Sequence, residues 1–165
     1  MSGISGAVTS KVMQRITGPA GVNAGLAALT AGEIESAGLI DVSQVRAQNA
    51  AADVAERSLG VKYPAMQVYC ERISNQLREK FRSFSGAVQM AMEIRHSQDR
   101  LEGLQDRLAL YVDAATQTLQ QSRGDWGDGM FYGGTYDVAF GPVKQGGRNF
   151  IQVAKVTFEI GVSKD

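Results

Sequence analysis

Apolar and polar positions alternate most cleanly in two stretches of this 165-residue chain. In 86–95, Val88, Met90, Met92 and Ile94 face one way while Gln89, Glu93 and Arg95 face the other, the period of a half-buried strand. In 150–160, Ala154, Val156, Phe158 and Ile160 point inward and Lys155, Thr157 and Glu159 outward. Met130 to Lys164 therefore reads as two long strands joined by a Gly-rich turn, the first alternating through Tyr136, Val138 and Phe140. A further strand is expected over Tyr63–Cys70, with Pro64 at its start, Met66, Val68 and Cys70 on one face and Gln67 and Tyr69 on the other.

Between the strands the period changes to that of a helix. Leu101, Leu104, Leu108, Tyr111, Val112, Ala115 and Leu119 form one stripe, which predicts a helix over 97–122 that starts at a Ser97 cap with Asp99 in its first turn. Nearer the start, Val12, Met13 and Ile16, then Val22, Leu26 and Leu29, predict either one Gly-weakened helix or a pair of short helices over 9–31. Thr9 or Ser10 would cap the first, Gly18-Pro19 would break the pair, and Pro19 would open the second. Residues 1–7 are small and expected to fray. The Ala-rich segment 45–57 fits a surface helix and a loop equally, and 71–83 reads as an exposed connection or a short helix.

These elements assemble into an α+β fold, a mainly antiparallel sheet packed against helices in a single domain. A weaker helical region fills 8–60 and a sheet-helix core 61–162. Apolar residues at 44% and charged residues at 21% are ordinary for such a domain. Seventeen basic against seventeen acidic residues leave no net field toward nucleic acid or membrane. No apolar run approaches the roughly 18 residues of a membrane span, no signal sequence opens the chain, and one cysteine excludes an internal disulfide.

Candidate chemistry is sparse. His96 has no partner pattern and reads as a capping or surface residue, and Cys70 as a buried apolar one. One Cys and one His do not make a zinc site. The GDWGDG stretch at 124–129 lacks the ligand order of a calcium loop and reads as a turn anchored by Trp126. GPVKQGGRN at 141–149 lacks the order of a phosphate-binding loop and precedes a strand. No catalytic residue, cofactor or metal is expected. Basic and aromatic residues do interleave at Arg72, Arg78, Lys80, Phe81, Arg82 and Phe84, diluted by Glu71 and Glu79. A nucleic-acid-binding module built on 72–84 is one alternative. Lys144 and Arg148 lie in the second loop, and these eight residues are the candidate interface.

The stretches YPAMQVYCER, EKFRSFSGAVQMAMEIRHSQDRLEG and GTYDVAFGPVKQGGRNFIQVAKVTFEI, in that order, resemble the tail-terminator group among the neck proteins of tailed bacteriophages, over about residues 61–162. The resemblance implies a non-enzymatic virion protein forming a homo-oligomeric ring, commonly a hexamer. Such a ring caps the tail tube and presents a surface to the head-side connector or stopper, with DNA passing through transiently. It implies assembly in the bacterial host cytoplasm, incorporation into the virion neck, and no membrane. The connection at 71–85 and the loop at 141–149 become contacts to tube, connector or neighbouring subunit. A head-closure or connector protein of the same neck is the other alternative.

Overall fold

The computed structural model describes residues 3–32, 41–42, 44–51 and 62–165. In chain order the elements are α1 (Ile4–Thr17), α2 (Val22–Gly32), β1 (Gln44–Arg46), β2 (Ala65–Asn75), β3 (Phe84–Gln98), α3 (Leu104–Gln121), β4 (Gly124–Gly127), β5 (Met130–Phe140), β6 (Lys144–Gly146) and β7 (Asn149–Lys164). The strands form one curled sheet in the order β1-β2-β3-β7-β5-β4, and β6 pairs with β7. Every pairing is antiparallel except that of β1 with β2. The expected α+β class, with a mainly antiparallel sheet against helices, is the fold observed.

The two alternating stretches are the central pair. Val88, Met90, Met92 and Ile94 of β3 lie opposite Ile160, Phe158, Val156 and Ala154 of β7, and all eight are buried under the helices. α1 and α3 cover this face, and α2 packs on α3. On α3 the stripe Leu104, Leu108, Tyr111, Val112, Ala115 and Leu119 is buried. Each large side chain there contributes roughly 1.5–3 kcal/mol by leaving water. Gly25 of α2 lies at this contact: a Cβ at that position would lie 3.5 Å from the Cβ of Ala114, an ordinary van der Waals distance.

Several expected boundaries move, each because tertiary pairing outweighs a local signal. Ser97 does not cap α3. β3 runs on to Gln98, because the start of β7 offers His96, Ser97 and Gln98 partners in Gln152, Ile151 and Phe150. The helix instead follows Gly103, at φ 75°, and Gln98 Nε2 donates to the carbonyls of Arg100 and Glu102 at 2.7 and 2.9 Å. Leu101 is consequently outside the helix and 57% exposed. Residues 71–75 are strand rather than connection, since β2 continues alongside β3 past a bulge between Cys70 and Arg72.

The first helix begins at Ile4, so residues 4–7 are ordered. Ile4 and Ala7 pack against the core, and Val8, Val12 and Ile16 are buried in it. Thr9 and Ser10 are interior to α1, with Thr9 Oγ1 donating back to the Ser5 carbonyl at 2.7 Å. The break at Gly18-Pro19 occurs as expected, but α2 starts three residues later than Pro19, at Val22. In the Ala-rich segment, Gln44–Arg46 is strand and 47–51 is irregular; residues 52–61 lie outside the described residues. The loop at 141–149 contains β6, which forms a tight hairpin with β7 around Gly147 at φ 66°.

Candidate assembly surfaces

The β2–β3 connection, 76–83, forms one end of the sheet. Asn75 organises it: its Oδ1 accepts from the amides of Leu77 and Ser85 at 3.3 and 3.1 Å, and its Nδ2 donates to the Ser83 carbonyl at 3.1 Å. Leu77 and Phe81 take positive φ, at 48° and 65°, and Phe81 is 100% exposed. Glu79 accepts from Ser163 Oγ at 2.7 Å, and Arg82 pairs with Glu79 at 3.5 Å and with Asp165. Arg78 and Lys80 are exposed.

Of the six candidate residues at this end, five reach solvent. Phe84 is the exception, 7% exposed and part of the core cluster, because as the first residue of β3 it faces the helices. Arg72 lies on the sheet face away from the helices, opposite Gln89. Lys144 and Arg148 are exposed on the β6–β7 hairpin.

The register separates the two groups. Phe84 pairs with Lys164 and Gln98 with Phe150, so the 76–83 connection and the 141–149 hairpin cap opposite ends of the β3–β7 ladder. At about 3.3 Å per residue these ends are roughly 46 Å apart. No single surface of one chain contains all the candidate residues.

What the fold adds, and sequence reading missed, is a pair of open edges. β1 covers β2 only at residues 65–67, and β4 covers β5 only at residues 130–132. Beyond those points, among the described residues, 68–75 of β2 and 133–140 of β5 have no strand on their outer sides. Beside the β2 edge lies a trough of 530 Å³ whose lining includes Thr9, Met13, Ala47, Val68 and Cys70. Along the β5 edge, Val138 is half-buried and Phe140 is 42% exposed.

The sheet face away from the helices carries a mixed charged network. Lys155 pairs with Glu71, and Glu71 accepts from Gln89 Nε2 at 3.1 Å. Arg95 pairs with Glu93 at 2.9 Å and donates to the Ala50 carbonyl at 2.6 Å. Glu71 raises the pKa of Lys155 through their hydrogen bond. The outward alternation of 67, 69 and 71 in β2 and of Lys155 and Glu159 in β7 was the available signal. Opposite charges interleave, so this face is neither an acidic nor a basic surface.

The two residues considered for chemistry stand apart. His96 is buried, not on the surface or in a cap. Its ring meets that of Tyr111 at a tilt of 47° with centroids 5.5 Å apart, and neither ring nitrogen has a hydrogen-bond partner. Burial, with a contribution from Arg107, outweighs the opposing effect of the nearby Gln98 side chain and pushes its pKa below the usual value. Cys70 is half-buried rather than buried, and burial pushes its thiol pKa up, the wrong direction for a nucleophile. It pairs with Met90, six strand steps or about 20 Å from His96.

No group of three potential metal-ligating side chains occurs among the described residues. GDWGDG, expected as a turn, is strand β4 over Gly124–Gly127 with the turn confined to Asp128 and Gly129, a hairpin into β5: Asp125 Oδ1 accepts from the Gly127 amide at 2.8 Å, and Asp128 pairs with Lys11 at 3.2 Å. Trp126 anchors it, buried, donating to the Ser122 carbonyl at 2.6 Å beneath the Arg15 guanidinium. No described helix is long and apolar enough to cross a membrane. Compared with known proteins, the chain matches no family model and no curated protein.

Proposed function

We propose that the chain is a structural subunit that assembles with copies of itself into a ring, and that this ring is the tail terminator of a tailed bacteriophage. The observation that carries the assembly reading is the pair of open strand edges on opposite sides of one sheet. An exposed edge offers a row of backbone donors and acceptors to another strand. Two different edges on one molecule make a head-to-tail contact, which closes into a ring when the rotation per subunit divides the circle. The phage role and an expected hexamer are supported by the resemblance of 61–162 to that group.

In this reading the β3–β7 ladder is the wall of the ring. The exposed Phe81, Arg78 and Lys80 at one end, and Lys144 and Arg148 at the other, serve two different partners, the tail tube and the head-side connector. Such a protein is assembled in the host cytoplasm and resides in the virion neck. A head-closure or connector protein would use the same surfaces with the partners in a different order. The nucleic-acid alternative is weakened by Arg82, which is engaged by Glu79 and Asp165, and by the burial of Phe84.

Light scattering and negative-stain microscopy of the purified protein, alone and with purified tail tubes, test the reading. A ring-sized species, or rings at tube ends, is expected. A monomer under both conditions overturns it.

A further inference from the structure

We infer that the ring closes by a defined strand pairing, with the β5 edge of one copy lying antiparallel on the β2 edge of the next. This rests on the ring assembly proposed above and specifies its joint. Direction follows from the sheet. β2, β3, β7 and β5 alternate in sense, so a copy that continues the sheet brings its β2 antiparallel to β5.

The side chains select a register. On β5, Tyr136, Val138 and Phe140 share the helix-side face, and on β2 so do Val68, Cys70 and Ile73. With Phe140 placed opposite Val68 of the neighbour, Val138 falls opposite Cys70. The bulge between Cys70 and Arg72 then shifts the register by one residue. Beyond it Asp137 meets Arg72 on the other face, and Tyr136 meets Ile73.

Three of these pairs involve a side chain the isolated chain leaves exposed or unpaired, and Val68 itself is buried. Phe140 and Ile73 are 42% and 45% exposed, and the trough beside Val68 and Cys70 has room for the Phe140 ring. Thr9 at the trough wall already spends its hydroxyl on the Ser5 carbonyl. Arg72 and Asp137 are both exposed, and neither is in an ion pair among the described residues. Opposite charges directly across a strand pair stabilise it, and like charges oppose it.

The native cysteine makes the joint testable. Val138→Cys places a second thiol directly opposite Cys70 of the next copy. Within one chain β2 and β5 are three strand spacings apart, about 14 Å, beyond disulfide reach. A bond between Cys70 and the thiol introduced at position 138 therefore forms only between copies. Under mild oxidation a ladder of covalent dimers and higher species is expected on a non-reducing gel. It should be lost when Cys70→Ser is added, lost with Asp137→Arg, and restored when Arg72→Asp accompanies Asp137→Arg. Light scattering on the same variants reports assembly separately, and circular dichroism confirms that they fold. Oligomers without a Cys70-dependent ladder overturn the strand joint and leave ring assembly standing. A monomer with no ladder at the highest soluble concentration, with and without tail tubes, overturns both.

Discussion

His96 makes the stability of this protein sensitive to mild acid in a way that one substitution should remove. The imidazole is buried against Tyr111 with both nitrogens unpaired, and across the strand pair Gln152 Oε1 also lacks a partner. Gln152 uses its amide nitrogen on the Gly141 carbonyl at 2.9 Å. An unpaired buried polar group costs about 1–3 kcal/mol. His96→Leu removes two such atoms but forfeits the ring contact with Tyr111, so a net gain of about 1 kcal/mol at neutral pH is expected.

The pH dependence has a definite sign. The folded-state pKa of His96 lies below the ordinary 6.5. Between those two values the unfolded chain binds more protons than the folded one, so stability falls as pH falls. It is full above the unfolded value and is lost as pH drops through the folded one. Urea unfolding of wild type and His96→Leu at a series of pH values from about 7 to about 5 isolates this effect, because background carboxylates are shared. The wild-type midpoint should decline relative to the variant. Parallel profiles for the two proteins would refute the assignment of an unpaired, buried neutral imidazole.

Two phenylalanines three residues apart should behave oppositely: Phe84→Ala costs about 3–5 kcal/mol and Phe81→Ala no more than about 0.5 kcal/mol in urea midpoint measurements. Equal effects would contradict the placement of one in the core and the other in solvent. Trp126, the single tryptophan, should emit at short wavelength in the native protein and shift red on unfolding; a water-like native spectrum would place it outside its pocket. Cys70 should react with a thiol reagent near neutral pH more slowly than free cysteine, since burial raises its pKa, and a rate equal to free cysteine would refute that.

Where burial follows a short period, the sequence was readable. The class of the fold, the β3 and β7 faces and the α3 stripe all follow from spacing, and Trp126 was found as an apolar anchor although it sits in strand β4 rather than in a turn. The misplacements share one cause, which is pairing over long sequence separation. Nothing near Ser97 announces that His96–Gln98 will find partners in 150–152, and nothing near Glu71 announces that β2 will follow β3 through a bulge. His96 looked like a surface residue because it borders a polar stretch, but once β3 runs on to Gln98 it continues the inward face of Met92 and Ile94 and meets Tyr111. The open edges were illegible for the same reason: whether a strand has a neighbour depends on sheet order, which local spacing does not encode. For the candidate interface, sequence proximity grouped Phe84 with Phe81, and the pleat separated them.

Strand order carries a consequence for how the molecule comes into being. β7 follows every other described strand in sequence yet lies in the interior of the sheet, between β3 and the β5 line. Phe84 must wait for Lys164. During synthesis the β2–β3 and β4–β5 hairpins therefore emerge as two separate half-sheets, each with one side bare, joined in sequence through α3. Arrival of β7 welds the halves in one step, a closure dominated by distant contacts and correspondingly slow. Truncation before Asn149 would not trim an edge; it would divide the sheet in two.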